Sequence, residues 1–584
     1  MFSRLVNYAI VAVVTAAAFA AACSFGLGFC DDTLYISEEP MVTGGLSLDA
    51  IKFAFTEVSQ AIWMPLVYLS YMFDFSVGWG YGGMHAHSIL WHVADAVLLY
   101  VILLRLFGSR LAAVLGALVW SIHPLRVESV VWLASRKDVI STFFFLLALY
   151  AWIRADRHGY GWLCLSFALT AIGAMAKPSV MVFPVFVLAI DYGITGVRKE
   201  RQTYWFAIGL AAVIAVEAQI LQVSGNATGY SALIPLWYRL LNALAALTVY
   251  LGNFIYPDRL APQCMIRFPD MPRFSAIGII ALASMVLWVV KAMLPRCREY
   301  MQSHDLESLL GGKRAENAAL AGMAIFFGSL VPFLGISGFG YHAFADRFTL
   351  LPTIGLSLIL ASVLSSRARL KWVAGVAVSV FAAAIFVRTM DQTSLWSDNI
   401  RLMEHTLEVD RDNNIDIHRG LAVQHWKSDH DMEKVYQHMK KCWDYCWCDQ
   451  VRDGMGISVC LLVEACYDTG RQEEGEEFYQ WLKGWTWRRN NARTAEFLMA
   501  QAMFDLNLKT PMAVEYAEKT LEEIKALAPD SYIAHDIAYR IALKKGDRAA
   551  IKAALEECAG EPIDASCGCS AWASRLLRDF PPSE

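Results

Sequence analysis

Long apolar runs recur from about residue 6 to about residue 390, and each approaches the roughly 20 residues that a bilayer crossing needs. That feature constrains the fold more than any other. It predicts an all-α polytopic membrane protein. Composition agrees: 56% of the 584 residues are hydrophobic and 18% are charged, against roughly 45–50% and 25% in soluble proteins. Mean hydropathy is +0.39, and a wholly soluble globular enzyme is excluded. From Trp396 onward charges become dense and apolar residues periodic. Two domains are therefore expected, a membrane domain over 1–395 and a soluble one over 396–584. With a formal net charge of −5 there is no basic excess to track a nucleic-acid backbone, so nucleic acid is not an expected partner.

The N-terminal run, MFSRLVNYAIVAVVTAAAFAAACSFGLGF, reads as a retained first helix rather than a cleaved signal peptide, because it continues past Cys23 through Phe29 and further spans follow. The chain then emerges outside at Cys30-Asp31-Asp32. Further spans are expected near 85–107, 111–122, 138–153, 161–176, 179–193, 204–222, 275–295, 317–335, 348–364 and 372–390. Segments rich in Lys and Arg separate them: Arg105 and Arg110; Arg154 and Arg157; Arg198, Lys199 and Arg201; Lys291 to Arg314; and Arg367, Arg369 and Lys371. The positive-inside rule assigns these to the cytoplasm. Parity holds if 238–256 is re-entrant or interfacial, or if one neighbouring span is counted differently. An odd total of about 11 to 13 spans puts Asp31-Asp32 and the soluble tail on the exported side of a bacterial inner membrane or its equivalent.

Polar turns in the tail recur at Ser428-Asp429, Thr469-Gly470-Arg471, Leu508-Lys509-Thr510 and Lys545-Gly546-Asp547, a spacing of helical hairpins. AVEYAEKTLEEIKALAPD has the small-residue pattern and closing proline of a tetratricopeptide-like α-solenoid, a module that binds peptides or partner helices. Of 13 cysteines, the tail holds Cys442, Cys446, Cys448, Cys460, Cys466, Cys558, Cys567 and Cys569. Disulfides in an oxidising compartment are the first expectation and a zinc site the alternative, although C-x2-C spacing is missing.

Ionisable residues at the ends of membrane helices are costly and mark candidate sites. They gather in Asp31-Asp32; in GGMHAHSILWH, with His85, His87 and His92; in HPLRVESVVWLASRKD, with His123, Arg126, Glu128, Arg136, Lys137 and Asp138; at Lys177-Pro178; and in YHAFADRFTLLP, with His342, Asp346 and Arg347. Each group has a structural alternative. Paired acids can simply end a helix, histidines can sit at the interface, and Arg or Lys can snorkel. Acids and bases interleaved within one loop fit none of these alternatives.

These strings, with FCDDTLYI upstream, FADRFTLLPTIG downstream and LWSDNIRLMEHTLEVDRDNN leading into the tail, resemble the transmembrane-and-TPR O-mannosyltransferases and their bacterial relatives, polytopic glycosyltransferases of the GT-C superfamily. The chain departs from them at Ser88, Asp95 and Phe348, where relatives carry Asn, Asn and Tyr. The resemblance implies transfer of a sugar from a polyprenyl-phosphate carrier to a hydroxyl, with a protein Ser or Thr as the expected acceptor, on the exported side. It implies a catalytic acid in the first external loop, and Asp32 is expected as the base with Asp31 beside it. Arg126, Arg136, Lys137, Lys177 and Arg347 are expected to clamp the donor phosphate. His85, His92, His123, Glu128 and Asp346 are expected to orient those groups or the acceptor. A divalent metal held by Asp31-Asp32 with His85 or His123 remains open, and no other cofactor is expected. Membrane lipid and a protein or peptide acceptor, presented by the tail, are the expected partners. The competing readings are a membrane-anchored scaffold with no enzymatic activity and a transporter, and internal repeats of the kind transporters show are absent from this sequence.

Overall fold

The computed structural model of the chain describes residues 2–584 except 29–30, 59–61, 156–158, 198, 225–234, 263–274, 281–282, 284–313, 337–343, 366–370, 411, 413, 446–455, 490–493, 529–531, 561–575 and 579–584. It is helical, with no strand among the described residues. Two compact units divide it, Met1–Arg411 and Asp412–Glu584.

The first unit is built on α1 (Phe2–Phe19), α2 (Pro65–Val77), α3 (Gly80–Phe107), α4 (Arg110–Ser121), α5 (Val127–Val131), α6 (Arg136–Arg154), α7 (Tyr160–Ala174), α8 (Phe183–Ile190), α9 (Arg201–Ser224), α10 (Leu236–Ile255), α11 (Arg314–Leu330), α12 (Pro352–Ser365), α13 (Lys371–Leu395) and α14 (Asn399–Val409). Among the described residues six stretches are long and apolar enough to cross a bilayer: Leu5–Ser24, Gly80–Phe107, Pro178–Thr195, Arg201–Leu221, Glu316–Phe333 and Trp372–Leu395. A seventh follows if Arg110–Ser121 and Pro124–Val131, bent by 55°, are one span. The bend has a local cause. Pro124 has no N–H to donate and holds His123 in an extended conformation (φ −72°, ψ 139°), which ends α4 before it reaches α5. Tyr160–Ala174 and Pro352–Ser365 are shorter apolar helices. The 238–256 segment is helical in α10 and is not among the six, and most of 275–295 lies outside the described residues.

Small residues let these helices approach. Where α11 meets α12, a Cβ on Gly322 or on Gly355 would collide with the other's carbonyl oxygen, so both positions require glycine. Buried Trp120 then donates its indole N–H to the Leu350 carbonyl (2.9 Å), tying α4 to the turn before α12. His405 on α14 meets the Leu260 carbonyl at 3.1 Å, which fastens this helix to the first unit beyond the change in composition at Trp396.

The second unit contains α15 (Ile415–Ser428), α16 (Met432–Tyr445), α17 (Gly456–Asp468), α18 (Gln472–Arg489), α19 (Ala495–Asn507), α20 (Ala513–Leu527), α21 (Tyr532–Lys545) and α22 (Arg548–Gly560), paired as hairpins whose turns fall where the polar spacing puts them. Gly470 (φ +78°) and Gly546 (φ +71°) close two of these turns in the left-handed region. Each sits in a Schellman arrangement: Arg471 N–H reaches the Cys466 carbonyl at 2.7 Å, and Asp547 N–H reaches the Ala542 carbonyl at 3.1 Å. Val435, Met439, Val463, Ala500 and Ile537 pack the core between hairpins. The Cys442 thiol donates to the Ile415 carbonyl (3.3 Å), and Cys466 is a buried free thiol. The side chains of Cys446, Cys448, Cys558, Cys567 and Cys569 lie outside the described residues.

One cation organises three carboxylates in this unit. The Arg540 guanidinium bonds Asp536 (2.6 Å), Glu464 (3.1 Å) and both oxygens of Asp468. Glu464 and Asp536 are buried, so losing the cation strands charge away from water. Arg540→Met keeps the packing but removes that cation. It is expected to lower the stability of this unit by about 3–5 kcal/mol, measured as a fall in the thermal or denaturant midpoint.

Candidate functional site

The loop after the first span folds back onto the segment joining α4 to α6, and buried Asp32 makes the junction. One of its carboxylate oxygens accepts the Gly28 N–H (2.7 Å) and the other accepts the Ala134 N–H (2.6 Å). A Cβ at Gly28 would stand 2.7 Å from that oxygen, so glycine is what admits the carboxylate there. Burial pushes the Asp32 carboxyl up to about 7, against the two amides, which favour its charged form. With each oxygen accepting one backbone N–H, Asp32 fastens this loop to the neighbouring turn. Asp31 differs. It is half-buried and has no hydrogen bond or ion pair with any described residue. Its charge bears on Lys137, Tyr35 and Arg347.

The cations expected at this site sort in the same way. All three nitrogens of Arg136 are engaged: Nε donates to Ser88 (3.0 Å), Nη1 to Ser70 (3.1 Å) and Asp74 (2.5 Å), and Nη2 to the Met84 carbonyl (2.7 Å). Its guanidinium also lies over the Tyr71 ring. It ties α2 and α3 to α6 with four of the five N–H groups a guanidinium offers. Lys137, next in sequence, lies over the Tyr35 ring (5.1 Å) and forms no ion pair or hydrogen bond among the described residues. Lys177 meets Asp138 at 2.5 Å. Arg347 is paired with Glu128, which also accepts the Arg347 backbone N–H at 2.8 Å. Phe348 receives both of these cations, Arg347 at 5.0 Å and Lys177 at 5.7 Å. Arg126 is fully buried and donates Nη2 to Thr349 (2.6 Å), while its Nε and Nη1 have no partner. Asp346 is buried near Arg126, and burial holds its carboxyl well above the usual range, with the Glu128 charge adding to the effect.

The three expected histidines bond to backbone carbonyls: His85 to Gly26 (3.0 Å), His92 to Ser121 (2.8 Å) and His123 to Phe254 (2.9 Å), whose ring stacks on it at 4.9 Å. Each locks a bend or a loop, so their role is positional. Within the described residues they do not gather with Asp31 and Asp32 into a metal-binding group. The one such group is His430, Glu464 and Asp468, in which both carboxylates already bind Arg540. His342 lies outside the described residues. Sequence reasoning missed Asp74, the buried carboxylate that holds Arg136 and, at 2.6 Å, His87. It lies in an apolar helix with no neighbouring charge, so its partners are visible only in three dimensions. Thr349 beneath Arg126 and the Tyr35 ring beneath Lys137 were missed for the same reason.

Residues 78–221 match the family described as "Dolichyl-phosphate-mannose-protein mannosyltransferase". Relatives include protein O-mannosyl-transferase tmtc2 of Xenopus laevis, 28% identical over 26% of this chain and 20% of that protein, and protein O-mannosyl-transferase TMTC4 of Homo sapiens, 27% identical over 21% of this chain and 20% of that protein. TMTC1 of Mus musculus is 28% identical over 28% of this chain and 18% of its own length. The alignments thus span about a fifth of these relatives. No solved structure matches. The chain resembles the GT-C O-mannosyltransferases, and the matched region holds Arg126, Lys137 and Lys177.

In Asp32→Asn an amide N–H must face the N–H of Gly28 or Ala134. The variant is expected to be about 1–3 kcal/mol less stable, read from its thermal midpoint. The Asp32 carboxyl titrates higher in the fold than in the unfolded chain, where it lies near 3.9. It therefore adds stability below that value and loses this contribution as pH rises through about 7. The gap between wild type and Asp32→Asn is expected to narrow from pH 5 to pH 8.

Proposed function

We propose that this chain is a membrane glycosyltransferase that moves a sugar from a polyprenyl-phosphate donor to a hydroxyl acceptor, a protein Ser or Thr, on the exported side of the membrane. In this reading Asp31 is the base and Asp32 holds the loop that presents it. One observation carries the assignment: at this end of the bundle Asp31 and Lys137 are the carboxylate and the ammonium whose charges no described hydrogen bond or ion pair consumes. A charge left unpaired near the protein interior is costly unless a substrate completes it.

The chemistry follows from those groups. The acceptor hydroxyl oxygen attacks the anomeric carbon as its proton passes to the Asp31 carboxylate. The bond from that carbon to the phosphate oxygen breaks, and the leaving polyprenyl phosphate gains negative charge. In this reading Lys137, with the unpartnered Nε and Nη1 of Arg126, takes up that charge. Glu128 and Asp138 hold Arg347 and Lys177 in place. The hairpins of the second unit, read as a tetratricopeptide-like module, are proposed to present the acceptor.

The test uses the full chain in nanodiscs with a radiolabelled polyprenyl-phosphate sugar. Asp31→Asn is expected to lower transfer by about 10²–10⁴-fold with no change in unfolding midpoint, and Lys137→Met to raise the donor KM. Undiminished turnover in Asp31→Asn removes Asp31 as base. A wild-type protein that neither binds nor turns over any such donor returns the chain to the scaffold reading.

A further inference from the structure

Three buried side chains on α6 and its N-terminal edge each carry a polar atom without a partner. Ser135 Oγ, Asp138 Oδ2 and Thr142 Oγ1 each have no hydrogen-bond partner, and the three residues are at most 4% exposed. They occur at i, i+3 and i+7, so they share one face of the helix over its first two turns. The other faces are committed to protein. Arg136 turns to α3, Phe143 meets Trp91, and Phe145 packs on Phe183 and Phe186. Buried polar atoms are ordinarily paired, and a row of unpaired ones is rare in a native interior.

This row has a directional chemistry. Asp138 contributes one oxygen to Lys177 at 2.5 Å, and that bond fixes the carboxylate so that the second oxygen stays open. Asp138 lies within electrostatic reach of Arg126, whose own Nε and Nη1 are unpartnered. A bidentate donor with open N–H groups thus stands near a row made of one carboxylate oxygen and two hydroxyls. The first set suits an anionic phosphate. The second suits a neutral group that carries several hydroxyls on adjacent carbons.

We propose that Ser135, Asp138 and Thr142 form the subsite that hydrogen-bonds the hydroxyls of the transferred sugar and so selects which sugar is accepted. The assignment rests on the transferase reading given above and deepens it. The carboxylate accepts from sugar O–H groups, while the Ser and Thr hydroxyls accept or donate according to the configuration of the hydroxyl they face. An epimer that inverts one hydroxyl leaves one of these buried groups unpaired again, and that loss is the source of discrimination. A row of this kind costs stability, because its polar atoms are desolvated without a hydrogen bond in return.

That cost makes the proposal testable apart from activity. The full chain in nanodiscs is compared with Ser135→Ala, Thr142→Val and Asp138→Asn, using polyprenyl-phosphate donors that carry either of two epimeric hexoses. In Ser135→Ala and Thr142→Val the unfolding midpoint without donor is expected to hold or rise. The kcat/KM ratio between the preferred sugar and its epimer is expected to fall by about 10- to 100-fold. Asp138→Asn is expected to lose the same discrimination, and because it also weakens the Lys177 pair the two hydroxyl variants are the deciding ones. If the midpoint falls in Ser135→Ala and Thr142→Val while the epimer ratio stays constant, the row serves packing or ordered water and the proposal is overturned, with the transferase reading intact. If wild type shows neither turnover nor sugar-dependent donor binding, both are overturned.

Discussion

A charge taken out of water must be compensated by another charge or by several hydrogen bonds, and the first unit is arranged by that requirement. Arg136 draws Ser70 and Asp74 from α2 and Ser88 and the Met84 carbonyl from α3 onto the start of α6. Asp32 then uses two backbone amides to pin the first loop against the neighbouring turn. Once these two side chains are satisfied, residues 31 and 137 are fixed in place by their neighbours. The charges that hold the fold and the charges proposed to do the chemistry are thus adjacent in sequence, 32 beside 31 and 136 beside 137. Each pair divides the work by which way its side chains face.

That division explains how far the sequence was legible. The clusters themselves were legible, because ionisable residues in apolar surroundings are costly enough to stand out. Which member of each pair is engaged was not. Two adjacent aspartates read alike in one dimension, and only the positions of the Gly28 and Ala134 amides separate them. The partners of the histidines were out of reach for a related reason: for His123 the bonded carbonyl is on Phe254, far along the chain. Asp74 shows the opposite failure. It is one acid in an apolar helix, and its value lies in partners that the sequence places elsewhere. Helix termini were read better, since Gly470 and Gly546 announce left-handed turns through their own chemistry.

The same physics operates in the second unit with a different result. Arg540 is surrounded by Asp536, Glu464 and Asp468 from two helices, and every N–H that it offers them meets a carboxylate. A set of that kind, in which every guanidinium nitrogen meets a carboxylate, stabilises packing. The proximity of His430 to Glu464 and Asp468 supplies ligand atoms but no vacancy among those carboxylates.

In the proposed reading, open valence is the property that separates site from scaffold. Arg540 and Arg136 each give four N–H groups to protein acceptors, whereas Arg126 gives one and the α6 row has three polar atoms without a partner. A protein selected for stability alone would replace Ser135 and Thr142 with alanine and valine, because an unpaired buried hydroxyl weakens the fold and an apolar group of the same shape does not. Their presence beside a fixed carboxylate, at the end of the bundle where unspent positive charge also collects, is a local conflict between sequence and stability. Conflicts of that kind are where sequence-level rules fail for functional reasons. The transferred group would relieve this one by supplying the hydrogen bonds that these three side chains lack within the protein.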